Sequence, residues 1–561
     1  MAVKQKVWDW LIVTASNDLQ AQAYHSLLKA RENSPLLACF KRWQVIADPE
    51  GVRVGSGGST VLCLMEVASK LIKEARHPID SWEKLEESMS SQRVLIIHAG
   101  GDSRRLPAYA PCGKLFVPIP TASEKGNFAA DYPFSLFDRL LSSLTQLPAA
   151  RHGAGQYLVV SGDALLLYDP SEIRFDFPGM TAIGVLRPLS ECFKHGVFSV
   201  GKDGRVRFYL QKPGLELMES TGALQNSGEG LLDAGLMSFD ASFSIKLMRT
   251  LNVELSLEDG ANWNNRFFSL TMEKGLDFYR EICCALGSES NFEYYLQSVR
   301  KSGSDWPEPD LKNLYAGLND LPLYCQTLPW CDFLHFGTTR QLISSARSLL
   351  EWSSEAKEEV KQKFIINSWV QNPELVSGER YWIEACQIEC SLFLEGENVL
   401  TGLTIQKPQK FAHGSCLDIS AGTQPDGSVC WFIRPYGIQD SFKDSLKSLG
   451  TFCNQPLREW LLKSGIKPEW LWEDFEDEEK CTLWNARLFP AVECPSDYQQ
   501  WLWYYTPEEA CTNSALVERF LSTPRYDCAQ MARLVDLEKF HTRRLSLLQA
   551  EKVACQTDSL K

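Results

Sequence analysis

Short apolar runs of strand length, each closing on a small or turn-forming residue, mark the first part of the chain. Trp8 to Val13 reads as a first strand, Val94 to Ile97 as a buried parallel strand, and the run from Gln156 as a strand ending on Gly162-Asp163. The first is followed by Ala15-Ser16-Asn17-Asp18, where Ser16 or Asn17 can cap a helix over Leu19 to Ala30; a strand followed by a capped helix starts an α/β layout. Val61, Leu64, Val67 and Leu71 continue with a helical period, and Leu276 to Gly287 places Phe278, Ile282 and Ala285 at helical spacing with Asp277 and Glu281 four apart on one face. Past about residue 360 the pattern changes. Trp382, Ile388, Leu394 and Leu400 fall six apart, with Ile405 one short and small or polar residues such as Ser391, Gly396 and Gly402 between them. That spacing suggests coils of a parallel β-helix, each burying its aliphatics on the next, with an antiparallel sheet as the alternative. Leu534, Leu537, Leu545 and Leu548 lie in amphipathic stretches that read as a helical cap.

Composition narrows the functional classes. A chain of 561 residues exceeds what one core usually serves, so two or three domains are expected. The net charge of -14 and the absence of a basic run argue against a nucleic-acid surface. No stretch reaches the roughly eighteen apolar residues of a membrane span, and Met1 to Lys6 runs into Val7-Trp8 without a signal-peptide cleavage pattern, which points to the cytoplasm. The eighteen cysteines are scattered through apolar contexts with no C-x-x-C pair, as expected of buried free thiols.

The candidate chemistry begins where the strand Val94 to Ile97 delivers the chain into Gly100-Gly101-Asp102-Ser103-Arg104-Arg105. Glycines let backbone N–H groups approach an anion, and the two arginines offer forked donors to phosphoryl oxygens. Lys114 opens a second apolar run, Leu115 to Ile119, and so would stand at a strand edge facing the same loop. A strand-ending turn with solvated arginines is the plain alternative. Upstream, Gly55-Ser56-Gly57-Gly58-Ser59-Thr60 opens a helix whose first-turn N–H groups suit an anion or a base edge. Asp163, just past a parallel strand, lies where open α/β sheets bind ligands and is a candidate Mg²⁺ ligand, since magnesium needs only one or two carboxylates beside substrate phosphates.

G-G-D-S-R-R-L-P followed by Gly113-Lys114 resembles the signature loop of sugar nucleotidyltransferases. With His98-Ala99 in front and Pro107 inside, it is most similar to the GDP-fucose pyrophosphorylases, the fucose-1-phosphate guanylyltransferases. A Walker A loop is excluded because Leu115, not Ser or Thr, follows Gly-Lys, and no G-x-G-x-x-G begins at Gly100. The resemblance extends in order through Lys194-His195-Gly196-Val197-Phe198, Gln211-Lys212-Pro213, Asp233-Ala234-Gly235, Leu334-His335-Phe336-Gly337-Thr338, Arg434 to Lys443 and Leu483 to Pro490.

It implies an α/β fold: a Rossmann-like nucleotidyltransferase domain over 1–350, a short parallel β-helix over 360–435 and a mainly helical region over 436–561. It further implies catalytic Arg104, Arg105 and Lys114, and a nucleotide site at Gly57, Gly58, Ser59, Gly100, Gly101, Asp102 and Ser103. The sugar phosphate would be held by His195, Gly196, Lys212, Asp233 and Gly235, and Mg²⁺ by Asp163, with His335 where the wider family has an aspartate. Histidine suits Mn²⁺ or Co²⁺ better than Mg²⁺ or contacts phosphate instead, which leaves the second metal ligand open. The implied reaction is GTP and L-fucose 1-phosphate to GDP-L-fucose and pyrophosphate. Another base or sugar, or a non-catalytic nucleotide-sugar-binding protein on the same fold, stands as the alternative. Relatives of this type are often fused to a fucokinase, whose P-x-x-x-G-L-G-S-S loop does not occur here.

Overall fold

A computed structural model describes residues 8–101, 103–120, 132–352, 362–448 and 450–558. The chain is of mixed α/β type and divides into two compact units. Residues 1–101 and 139–333 form the first; residues 102–138 and 334–561 form the second. The boundary thus falls after Phe333, and the segment 102–138, sequence-adjacent to the first unit, belongs with the second.

The first unit is built on a nine-stranded sheet whose main path runs β9-β5-β8-β4-β3-β1-β2. The strands are β1 (Trp8–Ala15), β2 (Phe40–Ala47), β3 (Arg93–His98), β4 (Gln156–Ser161), β5 (Met180–Pro188), β6 (Gly196–Val200), β7 (Val206–Gln211), β8 (Glu229–Phe239) and β9 (Leu323–Leu328). β1, β2, β3 and β4 pair in parallel, β8 runs antiparallel between β4 and β5, and β6 pairs with β7 and β8. The continuous apolar runs of β1, β3 and β4 are buried along nearly their whole length, as strands covered on both faces require. Helix α1 (Asp18–Lys29) follows β1, and Asn17 is the cap: its side chain accepts from the Gln20 amide at 2.9 Å. Helix α2 (Gly55–Glu74) buries Val61, Leu64 and Val67 against this core.

The 276–287 segment is not one regular helix. It forms a π-helical turn, Phe278–Ile282, and a 3₁₀ turn, Cys283–Ala285. Asp277 caps it through the Tyr279 and Arg280 amides, while Glu281 is fully buried against Arg280 Nε at 2.6 Å and the Asp277 amide at 2.8 Å. The two acids therefore do not share a solvated face.

The second unit contains three parallel stacks. β10 (Lys363–Ile366), β13 (Tyr381–Glu384) and β16 (Asn398–Thr401) form one; β11 (Trp369–Val370), β14 (Gln387–Ile388) and β17 (Thr404–Ile405) the second; β12 (Val376–Gly378), β15 (Leu392–Leu394) and β18 (Gln409–Phe411) the third. Ile365, Ile383, Leu400 and Leu417 align across one stack, and Ile388 aligns with Ile405 across another. Trp382, Ile388, Leu394, Leu400 and Ile405, the residues of the six-residue spacing, are all buried and occupy successive strands. Each turn of chain places three short strands on three faces, which is why the period is six. The first stack continues into β19 (Ser415–Thr423), where the pairing changes to antiparallel through β20 (Val429–Gly437), β21 (Phe489–Val492) and β22 (Arg525–Tyr526). Both the parallel and the antiparallel readings therefore describe part of this unit.

Helix α3 (Thr339–Trp352) and helix α4 (Leu537–Asp558) belong to the same unit. On α4, Arg544 donates to buried Glu384 at 2.6 Å and Arg543 to the Ala385 and Leu403 carbonyls at 2.8 Å, so the tail closes the stacks as a helical cap. The run Leu115 to Ile119 is not a strand. Gly113, at φ +67°, leads into a 3₁₀ turn over Lys114–Phe116, and Pro118 and Pro120 lack the N–H groups a ladder needs. No helix among the described residues is long and apolar enough to cross a membrane.

A further buried ion pair fastens the strands of the second unit. Arg434 on β20 holds both oxygens of Asp418 on β19 at 2.7 and 2.9 Å and also donates to the Pro107 carbonyl at 2.8 Å. Arg434→Met should leave Asp418 buried without its hydrogen-bonded counter-charge and lower the unfolding free energy of this unit by about 3–5 kcal/mol, read in urea titrations by tryptophan fluorescence. A loss below about 0.5 kcal/mol would show that the pair is dispensable.

Candidate functional site

In the first unit the candidate residues gather beyond the C-terminal ends of β3 and β4. His98 and Ser161 are register partners, and the Gly162 amide donates to the His98 carbonyl at 2.8 Å. The loop after β3 is fixed from several sides: the Ala99 amide donates to Thr14 Oγ1 at 3.1 Å, Tyr24 to the Ala99 carbonyl at 2.9 Å, and Gln20 to the Gly101 carbonyl at 3.2 Å. Gly101 has φ +125° and open space around it, so its glycine is demanded by backbone conformation rather than by crowding. Asp163 is half-buried next to this loop, with Oδ1 accepting from Ser161 Oγ at 2.7 Å. Among the described residues nothing donates to Oδ2. One oriented carboxylate with an oxygen to spare fits magnesium, which would complete its shell from water and phosphate. No group of three or more His, Cys, Asp or Glu capable of holding a metal occurs among the described residues.

The glycine-rich start of α2 is arranged differently from the expectation of outward-pointing amides. The Gly57 and Gly58 amides both donate to the Leu276 carbonyl, at 2.8 and 3.1 Å, and Ser59 Oγ donates to Asp48 at 2.8 Å in a buried pair. A Cβ on Gly57 would stand 2.9 Å from that carbonyl, so these glycines serve close packing of the helix start against residue 276. Thr60, one residue on, lies 3.1 Å from His98 Nε2. Burial pushes the His98 imidazole down to about 4, so it is neutral at physiological pH and serves as a hydrogen-bonding group.

His195, Gly196, Lys212, Asp233 and Gly235 come together on β6, β7 and β8. Gly196 is the register partner of Gln211, and the Lys212 amide donates to the His195 carbonyl at 3.0 Å, so the two motifs face each other across one hairpin. His195 and Lys212 are exposed, and Lys212 holds a left-handed φ of +46°, a conformation that costs a non-glycine residue roughly 1 kcal/mol or more. Asp233 is buried; its Oδ1 accepts from the Gly235 amide at 2.8 Å and its Oδ2 from the Tyr209 hydroxyl at 2.7 Å. Burial outweighs these donors and pushes the carboxyl up to about 6. A Cβ on Gly196 would meet the Tyr209 hydroxyl at 2.2 Å, so the occupant that requires this glycine is Tyr209.

The second unit gathers the cationic residues of the signature loop. Ser103 is buried with φ +54°, and Asp102 lies outside the described residues. The Arg104 guanidinium lies over the Trp484 ring at 5.7 Å, and the Arg105 carbonyl accepts from the Thr339 amide at 3.0 Å. The Lys114 ammonium lies 3.8 Å from where a Cβ on Gly337 would be, and Gln341 Oε1, which accepts from Thr338 Oγ1 at 3.1 Å, lies 3.6 Å from the same point. The signature-loop residues 104, 105 and 114 and the 335–339 segment are therefore neighbours. His335 ends the short strand Asp332–His335, and its carbonyl accepts from Ser345 Oγ at 2.6 Å.

Tyr209 and Tyr279 escaped the sequence reading, and Gln211 stood in a motif without a role of its own. Tyr209 and Gln211 share a strand face by the two-residue period, but only the register opposite Gly196 and Asp233 reveals their use. Tyr279 is pushed well above the usual phenol range by burial, and after it by the charges of Asp233, Cys283, Asp277 and Asp163.

The model of the fucose pyrophosphorylase domain matches residues 86–494, spanning the signature loop, the hairpin motifs, the 335–339 segment and the stacks. The "Bifunctional fucokinase/GDP-fucose pyrophosphorylase" of Arabidopsis thaliana is 24% identical over 537 residues, 86% of this chain and 47% of that protein. The "L-fucokinase/L-fucose-1-P guanylyltransferase" of Bacteroides fragilis is 26% identical over 462 residues, 79% of this chain and 42% of that protein. The "Fucose-1-phosphate guanylyltransferase" of Homo sapiens is 25% identical over 544 residues, 89% of this chain and 84% of that protein. The chain thus spans less than half the length of the two bifunctional relatives and most of the human one. With the match covering most of its length, the chain belongs to the fucose pyrophosphorylase family.

Proposed function

We propose that this chain transfers a guanylyl group from GTP to L-fucose 1-phosphate, forming GDP-L-fucose and pyrophosphate, as the names of its relatives describe for them. The observation that carries the reading is the family match over residues 86–494. In this reading the sheet of the first unit is the Rossmann-like nucleotidyltransferase core, and the three stacks of the second are coils of a β-helix. A sugar 1-phosphate oxygen attacks the α-phosphorus in line, the bond to the pyrophosphate oxygen breaks, and that oxygen leaves with the electron pair. The nucleophile is ionised at neutral pH, so no general base is needed and catalysis rests on positioning and charge neutralisation.

The residues take roles that follow from their chemistry. Arg104 and Arg105 steady the β- and γ-phosphates, Lys114 neutralises charge developing at the α-phosphate, and Lys212 holds the sugar phosphate. Gly100, Gly101, Asp102 and Ser103 line the nucleotide, with Gly57, Gly58 and Ser59 supporting it through the packed start of α2. His195, Gly196, Asp233 and Gly235 receive the sugar. Asp163 holds Mg²⁺, which when bound supplies charge neutralisation of the phosphates; His335 contacts phosphate or favours Mn²⁺ or Co²⁺. The sugar 1-phosphate must be supplied by an anomeric sugar kinase, a fucokinase in this reading, acting as a separate protein or a fused half. A screen of the four nucleoside triphosphates against a panel of sugar 1-phosphates, reading pyrophosphate release, tests the proposal. Turnover confined to another pair would reassign the substrates, and no turnover with any pair would favour a binding protein.

Two substitutions examine the roles. Lys114→Ala should lower kcat by about two to four orders of magnitude with the thermal midpoint little changed, because it removes a charge aimed at the transition state. Near-native turnover would return Lys114 to a surface role. Asp163→Asn should abolish most dependence of turnover on divalent metal, a neutral amide being a far poorer magnesium ligand, and an unchanged Mg²⁺ titration would move the metal elsewhere.

A further inference from the structure

The cluster around Asp233 has a direction. Gln211 Nε2 donates to the Tyr209 oxygen at 3.1 Å, the Tyr209 hydroxyl donates to Asp233 Oδ2 at 2.7 Å, and the Gly235 amide donates to Asp233 Oδ1 at 2.8 Å. Every proton in this relay points toward the carboxylate, which keeps further lone pairs on both oxygens and has none to give. An ionised carboxylate so placed welcomes a hydroxyl donor and repels a phosphate, so the polyol part of a ligand belongs here and its anionic part does not. Tyr209 is itself fixed: its ring is buried, it packs against Phe198 at 5.1 Å, and its hydroxyl occupies the space that a side chain at 196 would fill.

We infer that Tyr209 is the positioning residue of the sugar subsite: held by Gln211 and made room for by Gly196, it orients the Asp233 carboxylate to accept a hydroxyl of the bound sugar. The inference rests on the proposed function for the identity of the ligand. It gives the glycine at 196 the purpose of leaving room for Tyr209, and it makes the strand face of Tyr209 and Gln211 part of the recognition machinery.

Protonation of Asp233 supplies a readout that simple packing would not move. Its carboxyl is pushed up to about 6 by burial, while the Gly235 amide and the Tyr209 hydroxyl hold it down. Its other titratable neighbours are Tyr279 and Cys283 from the 278–285 turns and Cys325 on β9, all pushed well above their usual values and hence neutral in this range. Below about pH 6 the carboxyl carries a proton and one acceptor is lost, so sugar affinity falls on the acid side. Removing the Tyr209 hydroxyl removes a group that favours the charged form, so the acid limb must move to higher pH.

Steady-state kinetics of the full chain and of Tyr209→Phe, with each substrate varied between pH 5 and 9, test this. The variant should raise KM for L-fucose 1-phosphate about tenfold at pH 7, leave KM for GTP within about twofold, and shift the acid limb of kcat/KM for the sugar 1-phosphate upward. Equal effects on both substrates, or an unmoved acid limb, would overturn it. If Tyr209→Phe does not fold, Gln211→Ala carries the test, with a smaller selective rise in the same KM expected and no change overturning the inference. If the wild-type chain turns over no substrate pair, the functional reading fails by itself. Calorimetric binding of L-fucose 1-phosphate alone and the infrared carboxyl band of Asp233 against pH then decide the inference: weaker binding and a higher midpoint in Tyr209→Phe support it, and unchanged values of both overturn it.

Discussion

The signature loop depends on a buried ion pair far from it in sequence. Arg434 would be a liability in the interior without Asp418, and the pair would do little for the loop if the second guanidinium nitrogen did not also hold the Pro107 carbonyl. That third bond fastens the segment after Arg104 and Arg105 to a rigid antiparallel pair of strands. Nearby, Trp382 Nε1 donates to the Tyr109 hydroxyl at 2.7 Å, so a residue of the parallel stacks holds the same segment from another side. The stacks thus form the frame on which residues 103–118 are laid. This explains why a stretch that follows β3 directly belongs, by its contacts, to the second unit.

Charge is distributed to the same end. An overall excess of 14 negative charges is a poor background for the two polyanionic substrates of the proposed reaction, which calls for cations concentrated locally. Arg104, Arg105 and Lys114 are concentrated within eleven residues, and the fold brings Lys114 against Gly337 at the head of α3. The carboxylates at the edge of the first unit are sorted by environment. Asp163 is half-exposed and, among the described residues, bonded through one oxygen, as suits a cation ligand, whereas Asp233 is buried with both oxygens oriented, as suits recognition of a neutral hydroxyl.

Legibility followed the range of the interactions involved. β1, β3 and β4 and the Asn17 cap were readable because buried parallel strands and caps are written in contiguous residues. The six-residue period was visible because each strand of the stacks is short and turns a corner at once. Its turns were harder to see because one corner of successive coils falls on Asn367, Ala385 and Gly402, at φ +47°, +53° and +76°, and one of these three is a glycine. The run 115–119 misled because Val and Ile read as strand while Pro118 and Pro120 forbid a ladder. The glycines of α2 misled for a different reason. Their amides are satisfied by a carbonyl more than two hundred residues away, which no local pattern records.

The same limit hides one neighbour of a glycine in a sequence motif. The letters His195-Gly196-Val197 do not say what stands beside the glycine. The register of β6 with β7 puts a tyrosine hydroxyl there, and the register of β6 with β8 brings up the carboxylate that this hydroxyl bonds. Gly196, Tyr209 and Asp233 therefore form one constraint spread over three strands: a side chain at the first would displace the second, and loss of the second would leave the third oriented by Gly235 alone. Because Asp233 is buried, that loss would change its protonation as well as its aim, so geometry and acidity at this position cannot be altered separately.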